Sequence, residues 1–383
     1  MVKAIGIDSG TKTMDIFGFD DSDGTVLVDL AIPREEITET PSIIIEKLRE
    51  TQQNFGHIDA IVGPSGYGLP LQRARDANYS DIALATFVTK ADVARKLKIV
   101  GLRNVMKMMK TAEDLEVWFT PSVIQLTTVP KFRKANKIDM GTSDKVLSAV
   151  LAVKNQAERL KIRYAETNFI LLEIGFAYTS ALAIKNGQII DAMAGTAGFP
   201  SYLGMGFIDS EVMYALANTV KDFSKLMLFS GGASSVAGYD ASKTLEEFVN
   251  YAESDKKAQE GYDLMLESVV KDVASLLPSF KPKEVMLSGR FVNIPRFLKA
   301  VKYSLRGFLS SISSSADVIR FQGEAKITKQ AAEGAAVLAN GIAHGKFEEI
   351  VDVMKLRESE GTIFDNLYLG EAVKQGLNVF KEE

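Results

Sequence analysis

Hydrophobic and polar positions along this chain fall into a strand-like and helix-like order that runs through twice. Residues 3–7, 14–20 and 25–32 are mostly apolar and predict three consecutive strands. The second and third are joined at Asp21-Ser22-Asp23-Gly24, which is hairpin chemistry. Pro41 opens a helical pattern in which Ile44, Ile45 and Leu48 recur at helix spacing. Ile58 to Val62 predicts a short strand running into the loop Gly63-Pro64-Ser65-Gly66-Tyr67-Gly68. Residues 80–116 read as largely helical, and Trp118 to Thr128, rich in β-branched residues, as extended.

About 165 residues after the first copy the plan recurs. A helix from Ser143 to about Lys161 places Val146, Leu147, Val150 and Leu151 on its buried face. Strands at 169–173, 179–184 and 188–194 follow, the last two joined by Asn186-Gly187, a type I′ signal. Helices are expected at about 209–220 and 241–277. A strand at Val285-Met286-Leu287, a helix at 295–311, a strand at Val318 to Phe321 and a helix from Thr328 to Ala343 complete the series. The last helix carries Ala331, Ala332, Gly334, Ala335, Ala336 and Ala339, which permit close backbone approach. The pattern predicts an α/β protein of two domains, 1–142 and 143–369, with a C-terminal helix over 370–383 packing back on the first.

At 383 residues, with 46% hydrophobic and 25% charged residues, the chain has the balance of a globular protein with a full core. The net charge of −4, with both signs mixed along the chain, gives no electrostatic footprint for nucleic acid or an anionic membrane. With no cysteine there is no disulfide, thiolate nucleophile or Cys-ligated metal. Two histidines far apart in sequence, His57 and His344, argue against a His-rich metal site. No uncharged apolar run reaches the roughly 18–20 residues of a spanning helix, and no signal peptide is visible. The expectation is a soluble, cytoplasmic protein.

The candidate chemistry lies at strand ends. Ile7-Asp8-Ser9-Gly10-Thr11-Lys12-Thr13 ends an apolar strand on a carboxylate and a small polar turn. Gly10 permits positive φ and close approach, and successive N–H groups there suit phosphate oxygens. Ser9, Thr11 and Thr13 add hydroxyls, Lys12 adds charge, and Asp8 can hold Mg²⁺ directly or through water. In the second copy Glu173 takes the place of Asp8, with Gly175 and Thr179 as phosphate-lining residues. Two such loops predict a pair facing one cleft. The strand end Ser288-Gly289-Arg290 is a place for a base or ribose above an open sheet, and Gly231-Gly232 lies in a second Gly/Ser-rich loop. The plainer alternative for each is a structural turn. No Walker-type segment and no Gly-x-Gly-x-x-Gly after a strand is present.

Taken together, these residues resemble the actin-like ATPase superfamily, which includes sugar kinases, acetate and butyrate kinases, actin and heat-shock chaperones. The resemblance implies two ribonuclease H-like domains with ATP and Mg²⁺ in the cleft, Asp8 and Glu173 placing the metal. It is similar to butyrate kinase in the order of its segments, above all to an archaeal family of predicted butyrate-kinase-like proteins. Ile138-Asp139-Met140-Gly141-Thr142-Ser143 resembles the segment that bears an acceptor-side Asp in sugar and acetate kinases, which makes Asp139 the implied catalytic carboxylate. The chain departs from that pattern at Pro64, where butyrate kinase has Arg, and at Glu173-Ile174-Gly175, where acetate and butyrate kinases have His-Leu-Gly. Arg73, Arg75 and Arg290 are the candidates to supply the missing charge.

Three readings stay open: an ATP-dependent kinase for a small acceptor such as a short-chain carboxylate, an ATPase working with a partner protein, and a catalytically degenerate nucleotide-binding protein. The helices at 80–116 and 241–277 are candidates either for a homodimer face or for core.

Overall fold

Lys3–Ser9 has an apolar middle from Ala4 to Ile7, and the strand it forms, β1, is an inner strand of a six-stranded sheet. In the computed structural model, which describes residues 1–95, 98–221 and 223–381, that sheet also contains β2 (Thr13–Asp20), β3 (Val26–Pro33), β4 (Ala60–Val62), β5 (Gln72–Arg73) and β6 (Val117–Phe119). Its order is β3-β2-β1-β4-β6-β5, with β1 antiparallel to β2 and parallel to β4. A second sheet has the order β11-β10-β7-β8-β9, from β7 (Asn168–Ile174), β8 (Thr179–Lys185), β9 (Gln188–Ala194), β10 (Glu284–Ser288) and β11 (Asp317–Arg320). Each sheet is mixed, an antiparallel hairpin continued by parallel strands, and the α/β class with two helix-flanked sheets read from the pattern is what the molecule shows. The described chain divides into two compact units. One comprises Met1–Thr167, Asn186–Ile190 and Gln322–Glu383, and the other Asn168–Lys185 and Asp191–Phe321.

In the first unit, strand alternation assigns the two faces of β1. Ile5 and Ile7 join a core with Met14, Ile16, Ile44, Leu48, Val105 and Phe119. Each fully buried side chain of this size contributes about 1.5–3 kcal/mol. The opposite face presents Gly6 and then Asp8. Gly6 leaves room for the helix Gln330–Ile342: a Cβ there would lie 2.1 Å from the Ala336 nitrogen and 2.3 Å from the Ala332 carbonyl oxygen. The same helix lies backbone to backbone against Ser143–Leu160, where a Cβ on Gly334 would meet the Leu147 carbonyl at 2.0 Å. The run of small residues read from the sequence is used for this approach.

Three segments depart from the sequence reading. The extended stretch expected over Trp118 to Thr128 ends at Phe119. Beyond it the Gln125 carboxamide accepts the Ser122 N–H at 2.8 Å and donates to the Gly68 carbonyl at 2.8 Å, closing a 3₁₀ turn at Val123–Gln125. The single helix expected over 241–277 is two, Leu245–Tyr251 and Lys256–Leu276, because Asp255 caps the second by accepting the Ala258 N–H at 2.8 Å. The helical stretch expected over 80–116 comprises Tyr79–Thr86, Lys90–Ala94 and Lys98–Thr111. The first ends on Phe87 in the left-handed region, the second starts on a Thr89/Asp92 capping box, and residues 96 and 97 lie outside the described residues. At the C-terminus, Glu371–Gly376 is helical and Leu377–Lys381 a 3₁₀ turn whose Phe380 stacks on Phe87 at 4.1 Å. Residues 382 and 383 of the helix expected there lie outside the described residues.

Candidate functional site

The register of the first hairpin pairs Asp8 directly with Asp15. Cross-strand partners share a face, so both carboxylates lie on the side that receives the helix Gln330–Ile342, and both are buried, 3% and 1% exposed. The residue before that helix, Lys329, spans them. Its Nζ donates to Asp8 Oδ2 at 2.9 Å and lies 3.2 Å from Asp15 Oδ2, which also accepts the Lys329 N–H at 3.0 Å. Acids hold the approach to Lys329 in place. Asp29 accepts the N–H groups of Lys326, Ile327 and Thr328 at 2.8, 3.0 and 2.9 Å, and Glu333 accepts those of Glu324 and Ala325.

Gly10 sits in the turn between the strands, although not for the reason the sequence offered. Its backbone is not among those with positive φ; a Cβ would instead stand 2.4 Å from Lys329 Nζ and 3.1 Å from the Thr13 carbonyl oxygen. A side chain here would have to displace the tip of the lysine that passes over it. Arg34, buried at the start of the short helix Arg34–Glu39 that follows β3, donates from Nη1 to Ser9 Oγ at 2.8 Å. Its backbone N–H donates to the Lys12 carbonyl at 2.9 Å, pinning the turn. Thr11 and Lys12 are exposed and Thr13 half-buried.

Burial lifts the Asp8 carboxyl above its ordinary range against the pull of Lys329, and the neighbouring charges of Asp144 and Asp15 add to the rise. Asp144, in the first turn of Ser143–Leu160, is also raised by burial, but Lys145 at 2.8 Å and the Thr142 hydroxyl outweigh that and hold it below the usual carboxylate range. Burial lowers the Arg34 guanidinium to about 10, with Asp8 opposing, so it stays cationic at neutral pH. Three carboxylates (Asp8, Asp15, Asp144) thus meet three cations of the chain itself (Lys329, Arg34, Lys145).

These residues do not fit a divalent ion bound directly to Asp8. Oδ2 of both Asp8 and Asp15 is taken by the ammonium, and only the buried Oδ1 atoms lack a partner. A divalent ion set against them would stand within a few ångströms of Lys329 Nζ. Each carboxylate would attract such an ion at least as strongly as the ammonium repels it, so what stands against the ion is that the ammonium already occupies Oδ2 of both acids. A hydrogen-bond donor such as water suits these oxygens better. Among the described residues, no group of three or more His, Cys, Asp or Glu side chains is arranged to hold a metal.

In the second unit the same row of the sheet runs Ser288, Glu173, Ser180 across β10, β7 and β8. Glu173 is half-buried between two buried serines, and Ser180 Oγ, Ser288 Oγ and the adjacent Thr179 Oγ1 have no hydrogen-bond partner. The loops beyond these strand ends converge. Gly289, at φ +94°, passes so near β7 that a Cβ would lie 2.4 Å from the Ile174 carbonyl oxygen. Leu203 and Gly204 donate to the Ala177 carbonyl, Gly232 donates to Leu203, and Gly231, at φ +83°, bridges to Gly204. Phe176, Tyr202 and Phe291 pack ring against ring at 5.5 and 5.2 Å beneath these loops. Gly175, Thr179, Gly231, Gly232, Ser288 and Gly289 therefore surround one end of the second sheet, with Arg290 half-buried just beyond. The Gly231-Gly232 loop is a fixed part of this end: Ser235 Oγ accepts the Gly231 N–H at 3.0 Å.

Among the other expected residues, Asp139 is buried and its Oδ1 accepts the Gly141 N–H at 2.9 Å, shaping the turn into the helix Ser143–Leu160. Arg73 and Arg75 both pair with Glu116. The residues that sequence reading passed over are Asp15, Arg34, Asp144 and Lys329. Asp15 had a signal, an acid inside the apolar run Met14-Asp15-Ile16-Phe17. Lys329 had none, since its partners lie more than 300 residues away.

Residues 6–369 match a family model whose description is "Protein of unknown function (DUF1464)". No curated protein matches the chain. Solved structures with this architecture include a propionate kinase from Francisella tularensis subsp. tularensis SCHU S4, 15% identical with a TM-score of 0.60 over 87% of this chain and 99% of that one. An acetate kinase from Porphyromonas gingivalis, also 15% identical, has a TM-score of 0.60 over 89% and 100%. The acetate kinase of Entamoeba histolytica, 13% identical, has a TM-score of 0.56 over 80% and 87%. At such identities the likeness is one of fold alone, the fold of these acetate and propionate kinases. Among the described residues, no helix is long and apolar enough to cross a membrane.

Proposed function

The chain belongs to the family of that description, and from this premise we propose that it is an ATP-dependent phosphotransferase acting on a small acceptor, of the carboxylate-kinase type. The observation that carries the reading is Asp8: a buried strand-end carboxylate with one oxygen unpartnered, beside a turn of exposed donors, in the fold shared with the acetate and propionate kinases. Phosphoryl transfer asks a protein mainly for positioning and charge neutralisation. In the first unit the N–H groups and hydroxyls of Ser9, Gly10, Thr11 and Thr13, with Lys12, take phosphate oxygens, and Arg34 holds Ser9 in place. Asp8 holds the Lys329 ammonium beside this turn, and Asp139 acts beside the acceptor. In the second unit Ser288, Gly289 and Arg290 take the nucleoside, with Gly175, Thr179, Gly231 and Gly232 lining the same end of the sheet and Glu173 at its centre.

The test is ADP release from ATP in the presence of a panel of short carboxylates and alcohols. Acceptor-dependent ADP is expected, and Asp8→Asn should lower it at least 100-fold with nucleotide affinity changed much less. Full activity in Asp8→Asn overturns the site assignment. One observation favours a second reading: the Asp139 carboxylate is engaged in its own turn, and Glu173 stands where the resemblance to acetate and butyrate kinases implies His. ADP formed without any acceptor, and stimulated by a protein partner, would mark an ATPase instead. Nucleotide binding without turnover would mark a binding protein.

A further inference from the structure

We propose that the ammonium of Lys329 stands in the first unit where a metal-dependent phosphotransferase would carry a divalent ion, so that this unit works at Asp8 with a tethered cation and binds no divalent ion there. The inference rests on the phosphotransferase reading only for its purpose; its geometry is independent of it. Lys329 Nζ lies 2.9 Å from Asp8 Oδ2 and 3.2 Å from Asp15 Oδ2, one cation shared by two buried carboxylates. Gly10 lies beneath it: a Cβ there would stand 2.4 Å from Nζ, so a side chain at this position would push the ammonium from its place between the two acids. The lysine is fixed by its own backbone N–H on Asp15 and by the Asp29 carboxylate gripping three preceding N–H groups. The Lys329 side chain as a whole is about one-third exposed while both acids are buried. That disposition suits a cation that meets a phosphate oxygen or an acceptor carboxylate from one side while its acids hold it from the other.

Direct titration with Mn²⁺, followed by the electron paramagnetic resonance of the free ion, tests this without any nucleotide. The wild-type protein should bind no Mn²⁺ in an Asp8-dependent way up to millimolar concentration. Lys329→Gln should gain one Mn²⁺ site at least 10-fold tighter, lost again in Lys329→Gln/Asp8→Asn. Lys329→Arg, which keeps the charge, should gain none. An Mn²⁺ site in the wild type that Asp8→Asn abolishes overturns the proposal, and so does a folded Lys329→Gln protein that gains no site. The wild-type result decides even if Lys329→Gln does not fold. A second measurement, ATP binding by calorimetry in EDTA and in Mg²⁺, should give affinities within about threefold in the wild type. A loss of 100-fold or more in EDTA would count against the tethered cation. Absence of ATP binding in both buffers would sink the phosphotransferase reading and leave the Mn²⁺ result standing.

Discussion

The β1–β2 hairpin of the first unit and the β7–β8 hairpin of the second share a plan and differ in how their polar groups are met. In the first, the strand-end acid faces a second acid, Asp15, and the pair is answered by Lys329. In the second, Glu173 faces Ser180 and lies beside Ser288, and the serine hydroxyls are left unanswered. Two residues before each acid the contrast is steric. Gly6 admits a helix backbone, whereas the corresponding Leu171 fills its own space at 1% exposure. The same strand order can thus carry a charge-compensated end or an end of neutral hydroxyls. Which one forms depends on what the rest of the chain brings to it.

The sharpest way to break this comparison is to give Gly6 a side chain. Gly6→Val would force Cβ into the Ala336 nitrogen and the Ala332 carbonyl, which belong to a helix backbone and cannot swing aside. Separating that helix from β1 should cost about 5 kcal/mol or more, above the usual overpacking range of 1–3. It would also withdraw Lys329 from Asp8. Leu171→Ala in the other hairpin leaves a cavity, worth about 2–5 kcal/mol, and moves no cation. Thermal melts should show Gly6→Val largely unfolded or far below wild type. A melting point within 2 °C of wild type would contradict the close approach.

Much of this was legible in the sequence. The repeated strand-acid-turn-strand plan, the Asn186-Gly187 turn and the alanine-rich last helix each follow from local periodicity or turn chemistry. Strand-end positions such as Asp8, Glu173 and Ser288 follow because an apolar run must stop somewhere, and its last polar residue marks the place. The counter-ions did not follow. Lys329 and Arg34 reach the hairpin through tertiary packing, and nothing near Thr328-Lys329-Gln330 names a partner. Gly10 was singled out because glycine permits positive φ and close approach; its backbone does not adopt positive φ, and the nearest atom to a Cβ there is Lys329 Nζ. The turn at Ser122 was missed because β-branched neighbours favour a strand until the Gln125 carboxamide outbids it.

A smaller effect sharpens the contrast in charge. The second unit buries its own acid, Asp272, on the helix Lys256–Leu276, where Oδ1 accepts only the Phe199 N–H at 3.0 Å and Oδ2 has no partner. Burial pushes this carboxyl up to about 7 from an ordinary 3.8, the Phe199 N–H opposing. The native state therefore holds a proton that the unfolded chain loses. Its contribution to stability is complete below about pH 4 and is lost as the pH rises through about 7. Each unit of that difference is worth about 1.4 kcal/mol. Asp272→Asn should remove this fall and stabilise the protein by a few kcal/mol at pH 8, with little change at pH 4. Denaturant unfolding at the two pH values measures it, and equal effects at both would show that Asp272 does not titrate with folding.

The smallest expected change concerns the unanswered hydroxyls. A buried polar atom without a partner costs about 1–3 kcal/mol, and Ser288 Oγ is such an atom at the end of β10, in line with Glu173. Ser288→Ala removes the orphan and leaves a space of one oxygen, so stability should rise by about 1 kcal/mol or stay level. If this end of the sheet is reserved for a ligand, the same change should weaken adenine-nucleotide binding by roughly 5–10-fold, the worth of about one hydrogen bond of 1–1.5 kcal/mol. Stability and affinity then move in opposite directions, which a serine kept only to shape the turn does not predict. The comparable change in the first unit, Ser9→Ala, takes a hydroxyl that already accepts from buried Arg34 at 2.8 Å, and should lower stability and affinity together. Melting and calorimetry on the two variants separate the cases. A stabilised Ser288→Ala protein with unchanged nucleotide affinity would mean that the hydroxyl row of the second hairpin does not bind the nucleotide.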